Sequence, residues 1–468
     1  MSLTIDYTAM FEDIVGSGNG VNQSMLEGLN ETFNQTRAQL HTALVMGDLP
    51  FWDLPFDNQT IDQIVEFAAD NKRRFKNFVL LGIGGSALGP IALHSALNHL
   101  HHNLLPNDRR NGCRFFCPDN VDPDLVGDLL DVVDPTETLF NVVSKSGSTG
   151  ETAAQFLIIV DLLRKRLGDN WRNNLVITTD PGRGFLREFC TREDVQSFSI
   201  DPNVGGRFSV LTPVGLLPAA MSGIDIRTLC KGAGAVKEAC FAERMEDNPA
   251  AMIAALLYLS QASLNRPIQV VFAYSNRLYP VSDWFRQLWA ESLAKRYSID
   301  GREIFTGPTP VKAIGATDQH SQVQLYVEGP ADKVFLFLGP REFRRSVPIP
   351  ELGMHEDTVD YLQGSELSRL LNAERRATAY ALTSAGRPNM TLELDTIDPL
   401  HIGALMYLME AATLYAGGFY NVNPLDQPGV EAGKLATYAL MGRPGYEEKR
   451  VKIDESPGMG GNVMVIQV

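Results

Sequence analysis

The sequence predicts an α/β protein built from two parallel-sheet sandwiches, with a helical segment before them and a helix after them. Two series of alternating strand-like and helix-like segments predict the sheets, because this alternation is typical of parallel sheets covered on both faces. The 468 residues, 44% of them hydrophobic, suffice for roughly two or three domains with separate cores. We expect an N-terminal helical segment over residues 1–50, α/β domains over 51–205 and 206–420, and a C-terminal helix and tail over 421–468.

The N-terminal segment is predicted to be helical from its periodicity. Residues 23–46 and 60–76 carry apolar side chains at helical spacing, and the first of these helices closes on Gly47. The apolar run 77–83 that follows has the length of a buried strand. We therefore expect the first sheet to begin at residue 77.

The first alternating series gives four strands. They are predicted over 77–83, 114–117, 138–144 and 174–179, and the helices between them begin at about 86 and span 124–133 and 151–167. Each helix is long enough to cross from one parallel strand to the next. A polar, glycine-rich stretch over 201–207 then separates this series from the second.

The second series continues to the end of the chain. Strands are predicted over 268–275, 333–339 and 389–394. Helices are predicted near 226–244, 248–264, 282–297, 365–385 and 400–416, with a C-terminal helix at about 429–441. The related order of elements predicts a second sandwich of the same plan.

The charge balance excludes one class of partner. The chain carries 41 Lys and Arg residues against 56 Asp and Glu residues, a formal net charge of −15. Proteins that bind nucleic acid through its phosphates need a basic face. We therefore expect no nucleic-acid partner.

The cysteines and the apolar segments predict a cytoplasmic protein. The five cysteines are odd in number and scattered, which is typical of reduced thiols. Cys113 and Cys117 lie four residues apart, but no second Cys or His pair follows at zinc-finger spacing, so we expect no metal site. The N-terminus has no basic leader, and the apolar stretch 402–416 is interrupted by Glu410 and is shorter than the about 20 residues that cross a bilayer. We expect no contact with a membrane.

A glycine-rich loop follows the first predicted strand. Residues 82–87 read GIGGSA and lead into a helix. Glycines let backbone N–H groups approach an anion, and the helix N-terminus adds partial positive charge. The loop therefore also fits an NAD-dependent oxidoreductase, in which Asp119 would hold the ribose. The Ser86 hydroxyl suits a terminal phosphate or a sugar hydroxyl better than a bridging pyrophosphate, so we expect Gly85 and Ser86 to contact a ligand with such a group.

A hydroxyl-rich loop follows the strand over 138–144. Residues 144–152 read SKSGSTGET, and the part that precedes the predicted helix, 144–150, holds four hydroxyls, one ammonium and two glycines. Ser148 or Thr149 alone would serve as an N-cap. A cap needs only one hydroxyl, so we interpret Ser144, Lys145, Ser146, Ser148 and Thr149 as a phosphate cradle. The loop is not a P-loop, because the Gly-x-x-x-x-Gly-Lys-[Ser/Thr] pattern is absent.

With both loops in view, the chain resembles the sugar isomerase (SIS) domains that bind phosphosugars. Five motifs in chain order narrow the resemblance to the phosphoglucose isomerase family: GIGGSALGP at 82–90, GGRFSV at 205–210, QLWAES at 287–292, DQHSQ at 318–322 and DQPGVEAGK at 426–434. The resemblance implies two SIS-type domains. It also implies an enzyme that interconverts glucose 6-phosphate and fructose 6-phosphate by ring opening and proton transfer through an enediolate, with neither metal nor cofactor.

The resemblance selects Glu291 as the base of this reaction. Gln287 lies one helical turn earlier, so both side chains project from one helix face. From the residues alone, Glu291 and Lys295 also fit an ordinary surface pair at i, i+4. The family match favours the catalytic interpretation of Glu291, with Gln287 as a substrate contact.

Four further residues complete the implied site. Arg207 follows two glycines and is expected to face the enediolate, because arginine stays charged and cannot compete for the proton. By resemblance, His320 is the ring-opening acid or base, supplied across a homodimer interface, and its ordinary pKa near neutrality suits that role. Lys434 is implied near the ring oxygen, with Gln427 as a nearby sugar or phosphate contact. A non-catalytic phosphosugar sensor is a third interpretation, but it would not need Glu291, Arg207 and His320.

Overall fold

The chain folds around two five-stranded sheets and a short hairpin. The computed structural model describes residues 2–147, 149–354, 356–456 and 464–466. In chain order the strands are β1 (Leu3–Asp6), β2 (Asn77–Leu81), β3 (Arg114–Phe116), β4 (Thr138–Val143), β5 (Leu175–Thr179), β6 (Ser197–Ser199), β7 (Ile268–Ala273), β8 (Lys295–Tyr297), β9 (Glu303–Thr306), β10 (Thr309–Ile314), β11 (Lys333–Glu342) and β12 (Asn389–Thr396).

Helices surround both sheets. In chain order they are α1 (Glu12–Val15), α2 (Gln23–Glu27), α3 (Asn30–Met46), α4 (Asn58–Asn71), α5 (Leu88–Leu97), α6 (Pro123–Val132), α7 (Gly150–Leu167), α8 (Phe185–Glu193), α9 (Pro213–Met221), α10 (Ile226–Ala235), α11 (Pro249–Ala262), α12 (Tyr279–Leu293), α13 (Val323–Glu328), α14 (Asp357–Asp360), α15 (Leu367–Ser384), α16 (Pro399–Tyr420), α17 (Glu431–Leu440) and α18 (Glu447–Asp454).

The first sheet is parallel throughout, as predicted. Its strand order is β3-β2-β4-β5-β6, so the chain leaves β2 toward one edge and returns to β4 on the other side. Strands β2, β4 and β5 are buried along their whole length, which explains why their sequences are mainly apolar on both faces. The sequence pattern missed β6, because this edge strand is three residues long and only Phe198 in it is buried.

The second sheet is mixed, which corrects the prediction of a fully parallel sheet. Its order is β1-β12-β11-β7-β10, and β1 pairs with β12 in the antiparallel direction. The N-terminal segment, predicted to be helical, thus begins with an edge strand whose four residues alternate between half-buried and exposed. The backbone N–H and the hydroxyl of Ser2 donate hydrogen bonds to the Asp395 carboxylate and hold this strand in place.

Helix α12 is shorter than predicted, and its end shapes the candidate site. The predicted helix 282–297 ends at Leu293, and residues 295–297 form a hairpin with β9 instead. The Lys295 ammonium donates hydrogen bonds to the carbonyls of Glu291 and Ser292, 2.7 and 2.8 Å away, and so caps the helix. The chain is therefore turned out of the helix immediately after the residues that face the site.

Helix α16 is the centre of the largest core. By length and composition it is the one described helix that resembles a membrane span, but 94% of its 18-residue apolar window is buried inside the protein. Helix α10 approaches it so closely that a Cβ atom on Gly403 would lie 1.9 Å from the Leu229 carbonyl oxygen. The apolar character of α16 thus reflects packing against neighbouring helices on all sides.

Candidate active site

The candidate site lies at the carboxyl ends of β2 and β4. These strands are neighbours, and the chain reverses its direction across the sheet between them, which is where open α/β sheets bind ligands. The loop 82–87 follows β2, and the loop 144–149 follows β4. Both predicted anion-binding loops are therefore brought to one edge of the first sheet.

The glycine loop packs directly on the loop that carries Arg207. A Cβ atom on Gly85 would lie 2.4 Å from the carbonyl carbon of Gly206, which is closer than packed atoms allow. Gly84 has a φ of +57°, and a side chain there would meet the Gln287 amide at 3.0 Å. These glycines are required because two backbone segments and α12 converge at this point.

Arg207 is the most constrained side chain of the site. Its side chain is 4% exposed. Its Nε donates to the Ser292 hydroxyl at 3.0 Å, and its Nη2 donates to the carbonyls of Pro424 and Asp426 at 2.9 and 3.1 Å. Burial lowers the pKa of Arg207 below its ordinary value, and the neighbouring Glu291 carboxylate opposes that shift. The guanidinium is thus held in one orientation by two segments of the chain, the end of α12 and the loop over 424–426.

The remaining nitrogen of Arg207 faces two predicted site residues. Nη1 donates to Glu291 Oε2 at 3.2 Å and to Gln427 Oε1 at 2.6 Å. Gln287 donates from its amide to the other Glu291 oxygen at 3.2 Å. The structure therefore brings Arg207, Glu291, Gln287 and Gln427 together. With one third of its side chain exposed, Glu291 is both fixed by neighbours and open to solvent.

Lys295 belongs to the same cluster, so the interpretation of Glu291 and Lys295 as a surface pair is wrong. The Lys295 side chain is 5% exposed, and its ammonium lies 3.7 Å from the Asp426 carboxylate. Burial lowers the pKa of Lys295 to about 8, and Asp426 partly offsets that shift. The sequence analysis did not predict that Lys295 is buried in this cluster. Its position one helical turn after Glu291 was the only indication that the two residues lie close together.

The hydroxyl loop is joined to the Arg207 loop through Lys145. The Lys145 ammonium donates to the Val204 carbonyl at 2.9 Å, three residues before Arg207. Burial lowers the pKa of Lys145, while Asp180 and Asp201 act in the opposite direction. The cation that was predicted to attract phosphate thus also links the two loops.

Within the loop, the hydroxyls have different surroundings. Ser144 is buried, and its Oγ accepts a hydrogen bond from the N–H of Gly147 at 3.1 Å and lies 3.4 Å from the Thr149 hydroxyl. Thr149 precedes α7, yet among the described residues its hydroxyl caps no N–H of that helix, which argues against a simple N-cap. Ser146 is exposed, and Ser148 lies outside the described residues.

His320 and Lys434 are not brought to this cluster. His320 is exposed at the end of a 3₁₀ turn over Thr317–His320. Lys434 lies on α17, where its ammonium forms an exposed ion pair with Glu431 at 2.8 Å. Within the described part of the chain, no hydrogen bond or ion pair joins either residue to Arg207 or Glu291. Gly85 and Ser86 lie in the turn that packs on the loop of Arg207, and their predicted contact with substrate stays a prediction.

This fold and this cluster define a class of protein. It is a two-sheet α/β protein in which two loops predicted to bind an anion lie at the carboxyl ends of neighbouring strands, close to a carboxylate–guanidinium pair. The sequence profile of the phosphoglucose isomerase family matches residues 61–338 and 363–457. Because this match covers most of the sequence, the chain belongs to the phosphoglucose isomerase family.

Individual relatives agree with this assignment. The glucose-6-phosphate isomerase of Carboxydothermus hydrogenoformans is 43% identical over 454 residues, 97% of each chain. That of Rubrobacter xylanophilus is 50% identical over 373 residues, 79% of this chain and 83% of the relative. The crystal structure of a glucose-6-phosphate isomerase from Chlamydia trachomatis superimposes with a TM-score of 0.73 at 25% identity, over 85% of this chain and 76% of that one. These similarities confirm the predicted family and α/β fold.

Proposed function

We propose that this protein interconverts glucose 6-phosphate and fructose 6-phosphate, with Glu291 as the base that moves the proton. Membership of the family supports the reaction. The observation that carries the assignment of Glu291 is its position between two donors, Arg207 on one oxygen and Gln287 on the other. A carboxylate oriented in this way is suited to proton transfer between adjacent carbon atoms. Replacement of Glu291 tests this proposal, as argued in the Discussion.

The proposed reaction needs no external oxidant. The open-chain aldose loses the C2 proton to Glu291, and the electron pair of that bond forms the C1–C2 double bond of the enediolate. The same carboxyl group returns the proton to C1. The O2 hydroxyl loses its proton and O1 gains one, so that the ketose carbonyl forms at C2 and C1 becomes a hydroxymethyl group. The negative charge of the intermediate develops on oxygen, and the fixed Arg207 guanidinium is placed to stabilise it without donating a proton irreversibly.

The phosphate is proposed to bind at the hydroxyl loop. The exposed Ser146, the half-exposed Thr149 and the Lys145 ammonium lie before the N-terminus of α7, an 18-residue helix whose partial positive charge favours an anion. Ser144, which is buried and holds the loop, is proposed to shape the cradle. The loop hydroxyls are expected to contribute directly to substrate affinity.

A double substitution in this loop measures that contribution. Ser146→Ala with Thr149→Ala removes hydrogen bonds to a charged acceptor worth about 1.5 to 3 kcal/mol each, so KM for fructose 6-phosphate is expected to rise at least tenfold. The exposed pair Ser24→Ala with Thr42→Ala serves as the matched control. An unchanged KM in the loop variant would indicate that the phosphate binds at the turn over 84–86 instead.

The reaction is proposed to need neither metal nor nicotinamide. Exhaustive treatment with EDTA is expected to leave isomerisation intact, and NAD is expected not to shift the thermal unfolding midpoint, because a ligand stabilises only a protein that binds it. Activity that is lost with EDTA and restored by a divalent metal would contradict the proposed chemistry. A thermal shift with NAD would instead favour the oxidoreductase interpretation of the loop over 82–87.

We further propose a cytoplasmic homodimer in which His320 acts in the site of the partner subunit. His320 is exposed, and among the described residues the Glu291 side chain contacts Arg207 and Gln287 but forms no hydrogen bond or ion pair with His320; both observations support an action of His320 outside its own subunit. Lys434, which is also exposed, is proposed to approach the ring oxygen when substrate is bound. The proposal for His320 makes each site composite, with groups from two chains.

Complementation tests the composite site. Glu291→Gln and His320→Gln homodimers are each expected to be nearly inactive. A heterodimer of the two variants, purified by two different tags, contains one site with both natural residues, so it is expected to recover about half of the wild-type turnover per dimer. A heterodimer as inactive as both parents would place His320 in the site of its own subunit.

A further inference from the structure

A second group of cations lies at the opposite edge of the first sheet from the candidate active site. It surrounds a cavity of about 310 Å³. The polar side chains that line this cavity are Lys72, Arg73, Lys76, Asn107, Arg110 and Asn111. Among the described lining residues there is no carboxylate. Every charged side chain that lines the cavity therefore carries a positive charge.

The negative net charge of the chain does not reveal that several cations are grouped at this cavity. Residues 72–76 read KRRFK and residues 109–114 read RRNGCR, so these two short segments contain four and three cations in a protein of net charge −15. The folding of β2 beside β3 brings the two segments together. A negative net charge thus coexists with a local group of cations at this place.

Most of these cations have no counter-charge. Lys76 pairs with Glu137 at 2.6 Å, but both side chains are about half exposed, so this pair is weak. Within the described part of the chain, Lys72, Arg73 and Arg110 form no ion pair. Arg110 donates to the Asn107 side chain from Nη2, while its Nε is buried without a hydrogen-bond partner among the described residues. Burial, with the neighbouring Arg114, lowers the pKa of Arg110.

The walls of the cavity are fixed by hydrogen bonds and close packing. The N–H of Arg114 donates to the Lys76 carbonyl at 2.8 Å, and the Cys113 thiol donates to the Phe75 carbonyl at 3.2 Å. A Cβ atom on Gly112 would lie 2.4 Å from the carbonyl carbon of Ser222, so the end of α9 supports the second wall. The backbone segments that carry the cations are thus held together before any ligand binds, which lowers the entropic cost of binding.

The cavity is distinct from the active site. Its residues precede β2 and β3, whereas the loops of the active site follow β2 and β4. The five residues of β2 separate the two places by about 16 Å at the usual rise per residue. A ligand in the cavity would not contact Arg207 or Glu291.

We propose that this cavity is a second anion site, which binds a small molecule carrying a phosphate or diphosphate group. Guanidinium and ammonium groups without counter-charges recognise phosphate oxygens, and the two asparagine amides add neutral donors. The volume lies at the lower end of the range for small-molecule sites, which fits a compact phosphorylated ligand rather than a polymer. The proposal does not depend on the isomerase activity.

Calorimetric titration with inorganic pyrophosphate at low ionic strength tests this site. The variant Lys72→Gln with Arg73→Gln removes two partly exposed cations, and Lys231→Gln with Lys452→Gln removes the same charge from distant surface positions as the matched control. We expect the cavity variant to bind pyrophosphate at least about tenfold more weakly at this site. The loop variant Ser146→Ala with Thr149→Ala should retain this site, and KM for fructose 6-phosphate should be unchanged in the cavity variant.

The outcomes separate the alternatives. Binding of pyrophosphate alone would indicate a free inorganic anion, and binding of adenosine monophosphate as well would indicate a phosphate ester; both support the site. Equal affinity in wild type and cavity variant, or an equal loss in the distant control, would overturn it. Binding of a single-stranded oligonucleotide without either small anion would also overturn it. The single variant Lys76→Gln gives an independent test if the double variant folds poorly.

Discussion

Replacing Glu291 by glutamine is expected to lower the turnover of fructose 6-phosphate by at least about 100-fold, the usual contribution of a positioned base. Glutamine keeps the size of the side chain and can still accept a hydrogen bond from Arg207, but its amide cannot take the C2 proton. Substrate affinity should therefore change little. Steady-state kinetics measures turnover, and calorimetric titration of the variant with fructose 6-phosphate measures binding.

The control for this substitution is Glu243→Gln. Glu243 has 88% of its side chain exposed and lies outside the cluster, so that variant should retain wild-type turnover. Near-normal turnover in Glu291→Gln would show that Glu291 is not the base of the reaction. Loss of substrate binding together with turnover would instead make Glu291 a binding residue.

Replacing Arg207 by glutamine is expected to reduce kcat/KM on the order of 10³-fold. The substitution removes the fixed charge that faces the intermediate, and loss of one such donor commonly costs 10²- to 10³-fold in rate. It also releases Glu291 and Gln427 from the nitrogen that holds both of them. Initial rates at low substrate concentration measure kcat/KM directly.

The lysine variant separates charge from geometry. Arg207→Lys keeps the positive charge but cannot reach Ser292, Pro424 and Asp426 together, because lysine lacks the planar fork. We expect its activity to lie between those of wild type and Arg207→Gln, with a native circular dichroism spectrum. Activity of Arg207→Gln within tenfold of wild type would exclude a direct role for this cation.

The central strands and long helices could be predicted from the sequence because burial determines their patterns. Strands β2, β4 and β5 are buried at every position and are mainly apolar, and α7 begins and ends within one residue of its predicted bounds. Edge strands carry weaker patterns. Strand β10 contains Pro310 and Lys312, and β1 buries only alternate positions partly, so neither resembles a core strand.

Those residues of the candidate site that lie within recognisable sequence motifs could be predicted. The cluster of Arg207, Glu291, Gln287 and Gln427 combines three segments that only a family resemblance could connect. The burial of Lys295 was not predictable, because its sequence position is that of an ordinary surface pair on a helix. Whether its ammonium points to solvent or back to the end of α12 depends on the hairpin and on Asp426, which are tertiary features.

The pairing of β1 with β12 fixes an order in which the chain can fold. The Ser2–Asp395 hydrogen bonds join residues 393 positions apart, whereas every strand of the first sheet lies between residues 77 and 199. A ribosome adds about 5 to 20 residues per second, so the first sheet can pair many seconds before β12 is synthesised. Until then the earliest part of the chain has no partner strand, and the second sheet remains open at that edge. The closing of the second sheet is thus a late, long-range event in biosynthesis, and the newborn chain must keep its first four-residue strand available throughout.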